Sequence, residues 1–286
     1  MEQITKKAYA KINLGLDVLR RREDGYHEVK MIMQTVDIYD TLIFTKKAEP
    51  GITLKIDNEE LSTGSDNLIC RAAALLFSEA DIAEGIEISL QKRIPIAAGM
   101  AGGSTDAAAT LTGVNELFSL GYSLEQLQTL GVPLGADIPY CLAGGTAISE
   151  GIGEILTELP APPQCTLVIA KPEINVSTKF VYENLHADTL SYHPDIDGMV
   201  AAIKSGNLRG ITDRLGNVLE TVTVREYPII DTIKELMKSA GAENALMSGS
   251  GPTVFGIYTG EEQAREAAEQ IRERKLAEQV FVTGFI

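Results

Sequence analysis

P-I-A-A-G-M-A-G-G-S-T-D-A-A-A, residues 95 to 109, is where the architecture of this chain becomes readable. Gly99, Gly102 and Gly103 leave the backbone nearly bare, and the alanines and leucines after Asp106 favour a helix. A bare loop opening into a helix presents N–H groups that lack internal partners at the positive end of the helix dipole. An anion, most often a phosphate, is stabilised there. Ser104 or Thr105 is expected at the N-cap. The plain alternative is a glycine turn ahead of a structural helix. A second glycine-rich loop, Ser248 to Pro252, and Lys11, set inside an apolar strand pattern, favour the ligand-binding reading. Neither G-x-x-x-x-G-K-[ST] nor G-x-G-x-x-G occurs at the loop, so a Walker A site and a dinucleotide fold have no support.

The formal charge of −15 argues against a general nucleic-acid or anionic-membrane surface. A phosphate ligand would then need local positive potential from backbone amides, a few cations and bound metal. Cys70, Cys141 and Cys165 form no close pair and there is no histidine cluster, which supports neither a zinc site nor a disulfide framework. The first residues, M-E-Q-I-T-K-K, lack a secretory apolar region, and no run reaches membrane-spanning length. A cytoplasmic protein with a small-molecule partner is expected, as monomer or homodimer.

Working outward from the loop, strands are expected at residues 4–19, 28–38, 41–46, 52–56 and 86–90, with a hairpin turn at Arg20 to Gly25. Asp66 is expected to cap a helix over 67–79. Ser123 to Gln126 reads as a capping box. Residues 131–140, crowded with Gly and Pro, place Asp137 outside any regular element. Pro160 to Pro163 is the expected linker, dividing the chain into 1–160 and 161–286. Beyond it, strands are expected at 165–170, 245–247, 254–258 and 280–285, and helices at 179–184, 196–205, 208–219, 228–240 and 261–275. Strands and helices without a strict βαβ rhythm indicate an α+β fold of two domains.

P-I-A-A-G-M-A-G-G-S-T-D-A and M-S-G-S-G-P-T, Met247 to Thr253, resemble the second and third signatures of the GHMP small-molecule kinase superfamily. Two such loops in that order are far more specific than either alone. A-Y-A-K-I-N-L (Ala8 to Leu14), D-G-Y-H (Asp24 to His27) and L-G-A-D-I-P-Y (Leu134 to Tyr140) resemble its branch in the non-mevalonate isoprenoid route, and the likeness runs the length of the chain. The resemblance implies a two-domain GHMP kinase fold, the N-terminal part ribosomal protein S5 domain 2-like and the C-terminal part ferredoxin-like. It also implies use of ATP and Mg²⁺, and phosphorylation of the 2-hydroxyl of 4-diphosphocytidyl-2-C-methyl-D-erythritol.

The implied roles fall on residues that each have a plainer reading. Lys11, otherwise a lysine whose head snorkels to solvent, would orient the catalytic aspartate and offset charge on the transferred phosphoryl group. Asp137, otherwise a turn aspartate, would accept the hydroxyl proton. Pro95, Ala98, Gly99, Met100, Ala101, Gly102, Gly103, Ser104 and Thr105 would wrap the ATP phosphates, with Ser104 or Thr105 the candidate contact to Mg²⁺. No acidic metal ligand is assigned, and Asp106 is expected to turn away from the phosphates. On the acceptor side the resemblance implies Asn13, Tyr26, His27, Tyr182, Gly249, Ser250 and Gly251. Tyr26 would stack on cytosine, His27 would bond its edge, and Tyr182, or Phe180 as the fallback, would cover the other face. The competing readings are another GHMP kinase, of homoserine or mevalonate type, and a ligand sensor without turnover.

Overall fold

The computed structural model describes residues 2–286. Its elements run β1 (Gln3–Arg21), β2 (His27–Lys47), β3 (Gly51–Ile56), α1 (Leu68–Glu79), β4 (Gly85–Gln91), α2 (Gly102–Leu117), α3 (Leu124–Gly131), α4 (Ile138–Ala143), β5 (Thr146–Gly151) and β6 (Ile155–Leu159). There follow β7 (Thr166–Lys171), α5 (Thr178–Asn184), α6 (Ile196–Lys204), α7 (Leu208–Thr212), β8 (Gly216–Asn217), α8 (Glu220–Glu226), α9 (Ile229–Ser239), β9 (Asn244–Met247), β10 (Val254–Tyr258), α10 (Glu261–Glu273) and β11 (Gln279–Gly284). Contacts group the chain into two units that interleave in sequence. One holds the residues up to Ala10, Ile38–Ile94 and Ala101–Gly144, and the other Lys11–Asp37, Pro95–Met100 and Gly145–Ile286.

In the first unit, β3 and β4 are parallel and joined through α1, while β4 pairs antiparallel with the second half of β2, Thr41 opposite Gln91. Leu42, Phe44, Ile86 and Ile88 turn inward against Ile69, Ala73 and Leu76 of α1 and Ala107, Leu111 and Val114 of α2. The many alanines of α2 let it approach α1 and α4 closely, so the helix is buried on most sides. Burying these apolar faces stabilises the unit at roughly 25 cal/mol per Å².

In the second unit, β5 pairs with the first half of β2, and β8 adds to β1 in parallel, Gly15 opposite Gly216. A separate antiparallel sheet has the order β11-β7-β10-β9. Numbered within that sheet the order is 4-1-3-2, with α9 and α10 packed on it, which is the ferredoxin-like arrangement. Its strands alternate with apolar helix faces, Ile230, Ile233 and Met237 on α9 and Ala264, Ala267 and Ile271 on α10.

Several expectations are corrected. The strands expected at 28–38 and 41–46 are one strand, because the polar Asp40 between them is buried and fully bonded rather than a turn. Asn67, not Asp66, caps α1, accepting from the Ile69 N–H. Residues 131–140 are not irregular throughout. A 3₁₀ turn leads to α4, which tolerates Pro139 because the first turn of a helix has no internal use for its N–H. The helix expected over 208–219 breaks after Thr212, since Gly216 and Asn217 pair with β1 instead.

Candidate phosphoryl-transfer site

The glycine loop opens α2 otherwise than expected. The N-cap is Ala101, at φ 57, and Gly102, Gly103 and Ser104 form the first turn. The first helical bond runs from the Thr105 N–H to the Ala101 carbonyl at 2.9 Å, so the N–H groups of Gly102, Gly103 and Ser104 precede the ladder. A serine cap would have accepted one of these donors; alanine has no side-chain acceptor to offer them. Ser104 is half-buried. Thr105 is buried and donates its hydroxyl to the Tyr9 carbonyl at 2.8 Å, so of the two hydroxyls only Ser104 stands at an accessible helix end. The side chains of Pro95, Ala98 and Met100 are also buried, and these residues can meet a nucleotide through backbone alone.

Asp106 is buried in α2 and held by a partner that was not foreseen. The Lys92 ammonium sits between Asp106, at 2.8 Å, and Asp40, with the side chains of all three buried. Asp40 also accepts from the N–H groups of Arg93 and Ile94, at 2.5 and 2.8 Å, fixing the segment that leaves β4. Burial, assisted by the charge of Asp40, pushes the Asp106 carboxyl up to about 8 against the pull of Lys92. Burial opposes the charge on Lys92, yet the two carboxylates hold it above the ordinary lysine value. One atom, Asp106 Oδ1, is buried without a partner, which suits a carboxyl that keeps its proton. The sequence signal was only a lysine at a strand end; nothing in it paired Lys92 with two distant aspartates.

In the same unit Asp137 occupies the N-cap position of α4 without its side chain capping the helix. Gly135, two residues earlier, lies close to the Ser104 hydroxyl, where a Cβ would stand 3.8 Å from Oγ, and α4 packs on α2. Asp137 is thus carried on a short rigid element beside the opening turn of α2.

In the other unit, Lys11 and Asn13 share one face of β1, two residues apart. Lys11 is buried rather than snorkelled, and its ammonium donates to Asn13 Oδ1 at 2.8 Å. Its backbone N–H donates to the Met100 carbonyl at 3.2 Å, tying β1 to the first glycine loop. The two glycine loops abut. Ser248 Oγ donates to the Gly99 carbonyl at 2.9 Å and accepts the Asn13 N–H at 3.4 Å. Gly99 has φ 69, and a Cβ there would overlap the Ser248 carbonyl oxygen. At Gly249 a Cβ would come within 3.1 Å of the Gly99 carbonyl. Only glycine permits this backbone-to-backbone approach.

Farther along, Tyr26 follows a turn closed by the Gly25 N–H to the Arg22 carbonyl at 3.1 Å, and its ring is 60% exposed. The His27 and Tyr182 rings pack at 5.1 Å. Burial, with the charge of Arg21 beside it, lowers the His27 pKa, so a neutral imidazole with one donor and one acceptor nitrogen faces this region at neutral pH. Phe180 is also exposed, on the same short helix as Tyr182. That helix is tied to the second loop through Thr178 and Ser250, whose hydroxyls are 2.9 Å apart, a link the sequence did not suggest. Among the described residues there is no cluster of three His, Cys, Asp or Glu able to hold a metal, and no helix is long and apolar enough to cross a membrane.

Comparison with known proteins gives the family. Residues 67–145 match the GHMP kinases N terminal domain and residues 199–276 the GHMP kinases C terminal domain. The chain is 51% identical to the 4-diphosphocytidyl-2-C-methyl-D-erythritol kinase of Lachnoclostridium phytofermentans, over 100% of this chain and 98% of that one. It is also 51% identical to the kinase of that name from Lachnospira eligens, over 99% and 98%. A crystal structure of 4-(cytidine 5'-diphospho)-2C-methyl-D-erythritol kinase superposes with TM-score 0.83 at 33% identity, covering 99% of both chains. Homoserine kinase from Cytophaga hutchinsonii, at 20% identity and TM-score 0.79 over 99% of this chain and 94% of that one, shares the fold.

Proposed function

Since the chain belongs to the GHMP kinases, and within them to the 4-diphosphocytidyl-2-C-methyl-D-erythritol kinases, we propose that it transfers a phosphoryl group from ATP to the 2-hydroxyl of 4-diphosphocytidyl-2-C-methyl-D-erythritol. The observation that carries the reading is the meeting of two glycine loops at Ser248 and Gly99, beside Lys11 and Asn13. Two bare backbones held together by one hydroxyl suit a triphosphate and its acceptor, both of which present oxygens to N–H donors.

In this reading Asp137 accepts the hydroxyl proton, and Lys11 offsets the charge that grows on the phosphoryl group. The N–H groups of Gly102, Gly103 and Ser104 take phosphate oxygens. Asn13 and the loop from Gly249 to Gly251 orient the acceptor, while Tyr26, His27 and Tyr182 select the cytosine. The Ser104 hydroxyl, at the accessible end of α2, would be the side chain to hold a magnesium ion beside the phosphates, since the Thr105 hydroxyl is committed to the Tyr9 carbonyl. When bound, that ion neutralises phosphate charge. We place the working division of the chain at Pro160 to Pro163, between the two matched domains, and the protein in the cytoplasm.

The test is ADP release with ATP, Mg²⁺ and the cytidyl substrate, beside homoserine and mevalonate, for the wild type and Asp137→Asn. The expected result is turnover of the cytidyl substrate alone, reduced on the order of a thousandfold in the variant. Turnover of a control alcohol instead would sink the substrate assignment, and an unimpaired variant would sink the base.

A further inference from the structure

Three carbonyls of the second glycine loop, those of Ser248, Gly249 and Ser250, are bound by the protein, and two of its N–H groups are left over. The Ser248 carbonyl accepts the Gly251 N–H at 2.9 Å, and the Ser250 carbonyl accepts the Thr223 hydroxyl at 3.1 Å. The carbonyls of Met247 and Gly249 both accept from Asn217 Nδ2, at 2.8 Å each. By contrast, the N–H groups of Gly249 and Ser250 donate to no acceptor among the described residues. A trans peptide points its carbonyl and its N–H in opposite directions. Drawing the Gly249 carbonyl toward Asn217 therefore turns the Ser250 N–H away from it. The Ser248 carbonyl, held by Gly251, does the same for the Gly249 N–H.

Asn217 is built for this. It is 4% exposed, lies in β8 against β1, and its Oδ1 accepts the Leu219 N–H at 2.9 Å, so both amide donors and the acceptor are in use. The strand edge before the loop is fixed separately. Glu220 accepts the Met247 N–H at 2.9 Å and is paired with Lys234 at 2.8 Å.

We propose that Asn217 is a positioning residue for phosphoryl transfer, holding the Met247 and Gly249 carbonyls so that the Gly249 and Ser250 N–H groups stay aimed at an oxygen of the acceptor or of the transferred phosphoryl group. This rests on the kinase reading above for its substrate, though not for the geometry. The experiment compares Asn217→Ala and Asn217→Asp with Ile233→Ala, a core change on α9 outside the site. The aspartate keeps the volume and the acceptor while removing both donors, and serves if the alanine variant fails to fold. Kinetics with ATP and the cytidyl substrate are read beside hydrogen exchange of the bonded Ser248 and Gly251 amides. Expected for both Asn217 variants is a loss of kcat/KM for the alcohol of about a hundredfold, the cost of misplacing reacting groups by roughly an ångström. KM for ATP should change little, exchange at Ser248 and Gly251 should quicken, and Ile233→Ala should show none of this beyond its loss of stability. Asn217 variants no worse than Ile233→Ala, with unchanged exchange, overturn the proposal. If the wild type turns over no alcohol, the kinase reading fails by itself; exchange then decides, quickened amides sustaining the role of Asn217 and unchanged ones ending it.

Discussion

The two glycine loops reach a similar state, bare backbone with donors to spare, on different supports. The turn that opens α2 rests on charge, a buried lysine between two aspartates, one of them in the second turn of that helix. The loop from Ser248 to Gly251 rests on neutral hydrogen bonds from Asn217 and Thr223. The first support responds to pH and loses heavily if one charge is removed, since a buried ion without its partner is costly. The second is indifferent to pH over the ordinary range and yields in smaller steps. The difference teaches that two bare backbone turns in one chain can be braced by unlike means, buried ions in one case and neutral hydrogen bonds in the other, and that only the first carries a titrating group.

The largest test of that contrast is Lys92→Met, which strands the fully buried Asp40 and should cost about 3–5 kcal/mol in denaturant unfolding. A loss below about 1 kcal/mol would make the two supports equivalent. Next comes Gly99→Ala, where the left-handed backbone and the Ser248 carbonyl both oppose a methyl group. It should cost about 3 kcal/mol and separate the loops, read as lower stability together with lost turnover.

The third test is pH. Because the folded-state pKa of Asp106 is raised to about 8, the native chain binds a proton that the unfolded chain releases near 4. Its contribution to stability is complete below that range and is lost as pH climbs through about 8. Unfolding measured at about pH 6 and about pH 9 should show the wild type weaker at the higher pH, and Asp106→Asn should remove most of that slope. An identical slope in the variant would assign the titration elsewhere. Smallest, Ser248→Ala removes the hydroxyl between the loops and should cost about 1 kcal/mol, with no change in pH dependence.

Much of this was readable in advance where the physics is local. The capping box at Ser123 and Gln126, the apolar face of α9 stopped at Gly241, and the bareness of both loops follow from neighbouring residues. What the sequence hid depends on distant partners. Asp40 looked like a break between strands until Lys92 and two backbone N–H groups, more than fifty residues away, were seen to satisfy it. Asn217 sat inside an expected helix, because helical propensity cannot register that β1 offers Gly216 and Asn217 a strand partner. Ala101 at the cap of α2 was missed for the opposite reason: serine and threonine nearby offered a better local cap than the one the fold uses.

The Ser248 hydroxyl, touching both Gly99 and Asn13, has a bearing on descent as well as on chemistry. Three motifs far apart in the chain converge on one oxygen, so their substitution costs cannot add independently. For a lineage drifting in sequence the three positions behave as a single inherited character. A change at any one of them alters which changes at the other two can survive, and the order in which mutations arrive decides which are open.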